Sequence, residues 1–173
     1  MKALLVIDAQ NVIVEHRDFS KELTKIKKTI KHFKTQNYPV IFIQQLEDSK
    51  ESPFYKESAG AELHRSLKDF AEHIVEKNTP SSFFNTKLGE LLDEFSVNHL
   101  FITGFNTEFC CLFTAIAAFD RGYKVTFIED ATGTVNTDEN YEFPGLDIKD
   151  FIGTVLSWSN VIEVLYFDEL EID

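Results

Sequence analysis

The chain has 173 residues, 43% of them hydrophobic, which is enough for one packed core and too few for two comfortable domains, so a single domain over 1–173 is expected. A formal charge of −12 opposes condensation onto nucleic-acid phosphates or anionic lipid, both of which need clustered Lys and Arg. No apolar stretch approaches the roughly 20 residues of a membrane helix, no targeting segment is visible, and the only two cysteines, Cys110 and Cys111, are adjacent. That pattern excludes a disulfide framework and predicts a reducing, cytoplasmic setting.

In chain order, short apolar runs at 3–7, 40–43, 74–75, 100–102, 125–128 and 161–165 have the length of strands. Between them lie helical patterns at 20–36, with Ser20 as N-cap, and at 86–95, 107–121 and 147–158. The basic stretch 21–34 interleaves its lysines with Leu23, Ile26, Ile30 and Phe33 at helical spacing, which reads as the solvated face of a helix. Alternating strand and helix predicts an α/β fold with a parallel sheet. Because the strand runs are continuously apolar, helices should cover both sheet faces, giving an open, doubly wound sheet of about six strands in the order 3-2-1-4-5-6. Two polar segments, 46–68 and 131–145, read as long loops, and loops of that length are commonly functional.

Ligands of such sheets bind beyond the carboxyl ends of the strands. Asp8 ends the first run, Lys77 follows the third, and Cys110 lies early in the helix after the fourth and Gly104. A carboxylate, an ammonium and a thiol, distant in sequence, thus converge on one sheet edge. Taken alone, Cys110 reads first as a small buried hydrophobe; with Asp8 and Lys77 beside it, a nucleophile is the better reading. The helix N-terminus and Lys77 should both favour its thiolate and hold its pKa below the free value of about 8.5, with Asp8 as the acid and base.

The stretch Leu4-Leu5-Val6-Ile7-Asp8-Ala9-Gln10-Asn11 resembles the opening strand and Asp-x-Gln motif of the isochorismatase-like hydrolases, a superfamily that includes nicotinamidases and carbamoyl amide hydrolases. Lys77 through Thr86 resembles its second motif, and Ile102 through Cys111, followed by Thr114-Ala115, its third, in which the nucleophile is the Cys three residues after a Thr. The resemblance implies a catalytic triad of Asp8, Lys77 and Cys110. It also implies a cis peptide between Phe105 and Asn106, and an oxyanion hole built from the N–H groups of Asn106 and Cys110. Cys111 stands where an apolar residue is usual. Adjacent helix residues point about 100° apart, so Cys111 is read as structural.

The metal-binding histidines of many nicotinamidases have no counterpart in Gln44-Gln45-Leu46-Glu47-Asp48, and the five histidines are scattered, so neither a metal nor another cofactor is expected. His64, in the first long loop, reads as structural or surface-lying. Seventeen Phe residues are mostly core, with Phe84 and Phe109 as pocket candidates; Gln10 is a candidate for positioning Asp8 or the substrate, or for a purely structural hydrogen bond. The leading expectation is a cysteine hydrolase cleaving the C–N bond of a small amide or carbamoyl compound, working as a homo-oligomer. The alternatives are an isochorismatase-type vinyl-ether hydrolase, whose known members lack the nucleophilic Cys, and a noncatalytic binding or assembly module on the same fold.

Overall fold

Strand β1 (Lys2–Ile7) is buried along almost its whole length because both of its faces are covered. Ala3, Leu5 and Ile7 join one apolar cluster, and Leu4 and Val6 join the other, as the period-2 alternation of a strand requires. The computed structural model describes residues 1–171, so 172 and 173 of the expected domain lie outside the described residues. Around β1 assemble β2 (Val40–Gln45), β3 (His73–Lys77), β4 (His99–Phe105), β5 (Lys124–Gly133) and β6 (Glu163–Leu165). All pairings are parallel, in the order β3-β2-β1-β4-β5-β6.

Helices α1 (Asn11–Val14) and α2 (Ser20–Thr35) pack Ile13, Val14, Ile26, Ile30 and Phe33 on one face. On the other lie α3 (Leu88–Glu94), α4 (Leu112–Asp120) and α5 (Ile148–Trp158), through Leu88, Leu92, Ala115, Ala118, Ile152 and Leu156. Each large side chain fully withdrawn from water contributes about 1.5–3 kcal/mol, so the two-sided burial of β1 makes the central strand a firm mount for the residue at its carboxyl end.

Four local expectations are corrected. The N-cap position of α2 is held by buried Phe19 with no side-chain cap; Asp18 Oδ1 accepts from the Ser20 N–H at 2.9 Å instead, two residues upstream, so Ser20 is already helical. β5 runs past the polar Glu129-Asp130 pair to Gly133, because a register shift against β4 lets Thr132 and Gly133 pair with Gly104 and Phe105. The second long loop therefore begins at Thr134. The helix expected over 107–121 is two pieces, a π-helical turn Thr107–Cys111 and then α4. β6 begins only at Glu163.

Gly104 explains why β4 lies so tightly on β1 near its end. Its φ is +116°, and a Cβ there would stand 2.0 Å from the Ile7 carbonyl oxygen, so no other residue fits.

At the opposite, amino end of the sheet, His99 Nε2 lies 2.8 Å from Thr126 Oγ1, which donates to Glu163. Burial, with the Lys124 charge nearby, pushes the His99 pKa from 6.5 down to about 4. A depressed histidine contributes stability above its unfolded pKa and loses it as the pH falls from 6.5 toward 4. After discounting for solvent screening, about 1–2 kcal/mol should disappear over that window. Urea titrations at pH 7.5 and 4.5 (set around roughly that window) should show a smaller loss for His99→Gln than for the unmodified chain; equal losses would refute the assignment.

Candidate active site

Three segments bring polar side chains to the carboxyl end of the sheet. Asp8 follows β1 with φ +48°, a left-handed conformation that Asp tolerates better than most residues, and its N–H donates to the Ile43 carbonyl at 2.9 Å. Lys77 is the last residue of β3, the edge strand, so its side chain must cross above β2 to reach Asp8. A long unbranched side chain can do this. On the way it passes Gln45, its register partner on β2, and donates to Gln45 Oε1 at 2.7 Å.

The Lys77 ammonium also donates to Asp8 Oδ2 at 2.8 Å and to Cys110 Sγ at 3.3 Å. Three acceptors thus take up the three N–H bonds of one ammonium. The Asp8 and Lys77 side chains are respectively 1% and 0% exposed, so this is a buried ion pair. Asp8 Oδ1 is buried and holds no hydrogen bond, leaving one carboxylate oxygen open to take a proton.

The electrostatics correct one expectation. Burial pushes the Cys110 thiol up to about 12 and the Asp8 carboxylate adds to this, while Lys77 opposes it. The helix N-terminus and the ammonium do not win against desolvation beside an anion, so Cys110 rests as a thiol, not a thiolate. Burial likewise raises Asp8 despite the counteracting Lys77 charge. For Lys77, burial works toward a lower pKa, but Asp8 and Cys110 outweigh it and hold the ammonium above its usual value.

Cys110 is half-buried in the π-helical turn, whose wide ring is closed by the Cys111 N–H on the Asn106 carbonyl at 3.2 Å. The Phe105–Asn106 peptide bond is cis. Cys111 is fully buried in the α3–α5 core cluster, and burial raises its pKa well above the ordinary thiol value. The second and third motif segments are locked together: the Ser82 N–H donates to Thr114 Oγ1 at 3.0 Å and the Ser82 and Thr114 hydroxyls lie 2.8 Å apart, while within the second segment Thr86 Oγ1 donates to the Ser82 carbonyl at 2.6 Å.

Gln10 is fully buried. Its amide donates to the Gln45 and Ala61 carbonyls at 2.9 and 2.7 Å and accepts from the Gln45 N–H at 2.9 Å. Every one of these partners is backbone, so Gln10 clamps the end of β2 to the 46–68 segment. Gln44 donates to the same Ala61 carbonyl at 2.8 Å. His64 is buried with Nδ1 2.8 Å from Ser66 Oγ, and burial lowers its pKa. Beside Lys77 opens a cleft of about 670 Å³, lined by Glu47, Asp48, Lys56, Glu76 and Asn85 among others. Phe84 and Phe109 do not line it; they stand exposed, at 56% and 42%.

Sequence reasoning missed Gln45 and Glu108. The signal for Gln45 was its place at the polar end of the second apolar run. Glu108 sits inside the third motif and is 8% exposed. Among the described residues no group of three or more His, Cys, Asp or Glu is arranged to hold a metal ion, and no helix is long and apolar enough to cross a membrane.

The strand order and the grouping at its carboxyl edge define an α/β protein of the isochorismatase type. The isochorismatase domain profile matches residues 2–159, and the chain belongs to that family, whose members are hydrolases. An isochorismatase family protein of Bacillus subtilis, YddQ, is 31% identical over 139 residues, covering 76% of this chain and 77% of its own. Streptothricin hydrolase of Streptomyces noursei is 29% identical over 178 residues, covering 99% of this chain and 62% of its own. Among solved structures, a Burkholderia xenovorans protein assigned to the isochorismatases superposes with a TM-score of 0.88 at 31% identity, over 97% of this chain and 84% of that one.

Proposed function

We propose that this chain hydrolyses the C–N bond of a small amide or carbamoyl compound through a thioester on Cys110. The observation that carries the reading is the single ammonium of Lys77 bonded to both Asp8 and Cys110, with Asp8 Oδ1 unoccupied. Because Cys110 rests as a thiol, attack and deprotonation belong to one event: Sγ bonds to the substrate carbonyl carbon as its proton passes to Asp8. The oxyanion that forms is received by the N–H groups of Asn106 and Cys110, where one donor is worth about 3–4 kcal/mol to a transition state.

Asp8 then gives the proton to the departing nitrogen, the C–N bond breaks and the acyl group remains on sulfur. Water enters, loses a proton to Asp8 and attacks the thioester; the C–S bond breaks and the proton returns to Cys110. Lys77 keeps its charge throughout, holding Asp8 in place and balancing whichever of its partners is anionic. The chain's own groups account for each proton. The reading includes a homo-oligomer in the cytoplasm; the exposed Phe113, Ile116, Phe151 and Trp158 support self-association.

The test is a panel of small amides and carbamoyl compounds, each quenched in acid during turnover and weighed by intact mass. A substrate should leave an acyl increment on Cys110, absent from Cys110→Ala. Product formation by Cys110→Ala at the unmodified rate would overturn the mechanism.

A further inference from the structure

The turn that carries Cys110 has an unusual backbone, and something must hold it. The π-helix is rare and occurs mostly as a single-turn insertion in an α-helix, frequently at functional sites. Relaxation to α geometry would remove the extra residue of the wide ring and rotate the later residues by about 100°. Cys110 would then leave Lys77 and Asp8.

The first three residues of the turn region all send side chains to the end of β5 and the segment after it. Asn106 Oδ1 accepts from the Val135 N–H at 3.1 Å, and Thr107 Oγ1 donates to Thr132 Oγ1 at 3.0 Å. Glu108 does most. Its Oε1 accepts from Thr134 Oγ1 at 2.7 Å, Asn136 Nδ2 at 2.7 Å and Tyr141 OH at 3.1 Å, while Oε2 is buried without a partner. A buried carboxylate is ordinarily matched by a cation; this one is held by three neutral donors from three points of one segment. Burial and the neighbouring Glu108 push Tyr141 up to about 12, so that phenol stays a donor.

We infer that Glu108 is a positioning residue: by gathering Thr134, Asn136 and Tyr141 on one oxygen, it fixes the π-helical turn and so keeps Cys110 against Lys77 and Asp8. The inference deepens the proposed thioester mechanism and rests on it for its catalytic meaning. Its geometric content stands separately. Charge-assisted hydrogen bonds are roughly twice as strong as neutral ones, which is why a carboxylate and not an amide serves as the hub.

The test is alkylation of Cys110 by iodoacetamide in the full chain from pH 7 to 11 (roughly the range over which thiols ionise), with the label located by fragment masses because Cys111 is adjacent. The unmodified chain should label slowly, with a rate still climbing at the top of the range. In Glu108→Ala, Cys110 escapes Asp8 and should label about 10-fold faster near neutrality, levelling off near the ordinary thiol value of about 8.5. Glu108→Gln, which keeps an acceptor oxygen, should lie between the two, and Tyr141→Phe should shift the profile the same way by less. Cys111 should stay unlabelled in all of them, whereas general loosening would expose it. If Glu108→Ala shows no cooperative urea transition, Glu108→Gln and Tyr141→Phe decide. Folded variants with the unmodified profile, or with Cys111 labelled alongside Cys110, would overturn the inference. Hydrolysis by Cys110→Ala would instead sink the thioester reading and leave the profile shifts intact.

Discussion

Replacing Asp8 by Asn is expected to lower turnover by about 10²–10⁴-fold, the usual contribution of a positioned general acid and base. Asn has the shape of Asp8 and can still accept from Lys77, but it cannot take the Cys110 proton or return it to a leaving nitrogen. Groups that act as one unit lose their effect together, so Asp8→Asn combined with Cys110→Ala should be no slower than the worse single variant. Multiplying losses would mean the two side chains act independently and would sink the shared proton path. The pH profile supplies a second check. Because burial raises Asp8, the acid limb of kcat/KM should lie above the ordinary Asp value of 3.8, with activity falling as the pH drops through the raised pKa and protonates the base. A limb at or below the ordinary value would show that Asp8 is not the titrating group.

How much of this site was readable in advance depends on what each residue needed. Asp8 and Cys110 each follow an apolar strand run, so topology alone puts them at the same edge. Lys77 was harder, because its strand alternates exposed Ile74 and Glu76 with buried Val75 and leaves only a faint apolar run; the motif resemblance carried it. Gln45 was not legible as a partner, since Gln44-Gln45 reads as one polar end and only the register with Lys77 decides which of the two faces the site. Glu108 was hidden for a similar reason: a Glu in a helical pattern reads as solvated, and the three donors that bury it lie 26 to 33 residues later.

The state of the Cys110 thiol was not legible because Lys77 and the helix end are visible in the sequence as attractions, whereas desolvation and the closeness of the Asp8 charge emerge only from the packing. The end of β5 was misplaced because Glu129-Asp130 looks like the polar close of a strand. In the fold those carboxylates are engaged from outside the sheet, Asp130 by Lys25 and the Phe167 N–H and Glu129 by Tyr166, and the strand continues beneath them.

Lys77→Met should be the most destabilising change at the site, costing about 3–5 kcal/mol at neutral pH, because it leaves the buried Asp8 carboxylate without its cation. Met fills most of the Lys stem's volume, so a cavity contributes little. The pH dependence separates charge from packing. Without Lys77 the folded-state pKa of Asp8 rises further above its unfolded value, and an Asp raised on folding loses stability as the pH climbs from the unfolded toward the folded pKa. The deficit of Lys77→Met relative to the unmodified chain should therefore shrink as the pH falls through the raised folded-state pKa of Asp8 toward the unfolded Asp value of about 4. A deficit independent of pH in urea titrations would point to packing and refute the buried-charge account. Asp8→Asn added to Lys77→Met removes the stranded charge, and since apolar or neutral replacement of a buried ion pair is often neutral or stabilising, the double variant should recover most of the lost stability. It should also be inactive. A chain that folds better once its ion pair is gone, and catalyses nothing, would mean that Lys77 and Asp8 are retained for chemistry at a cost to the fold.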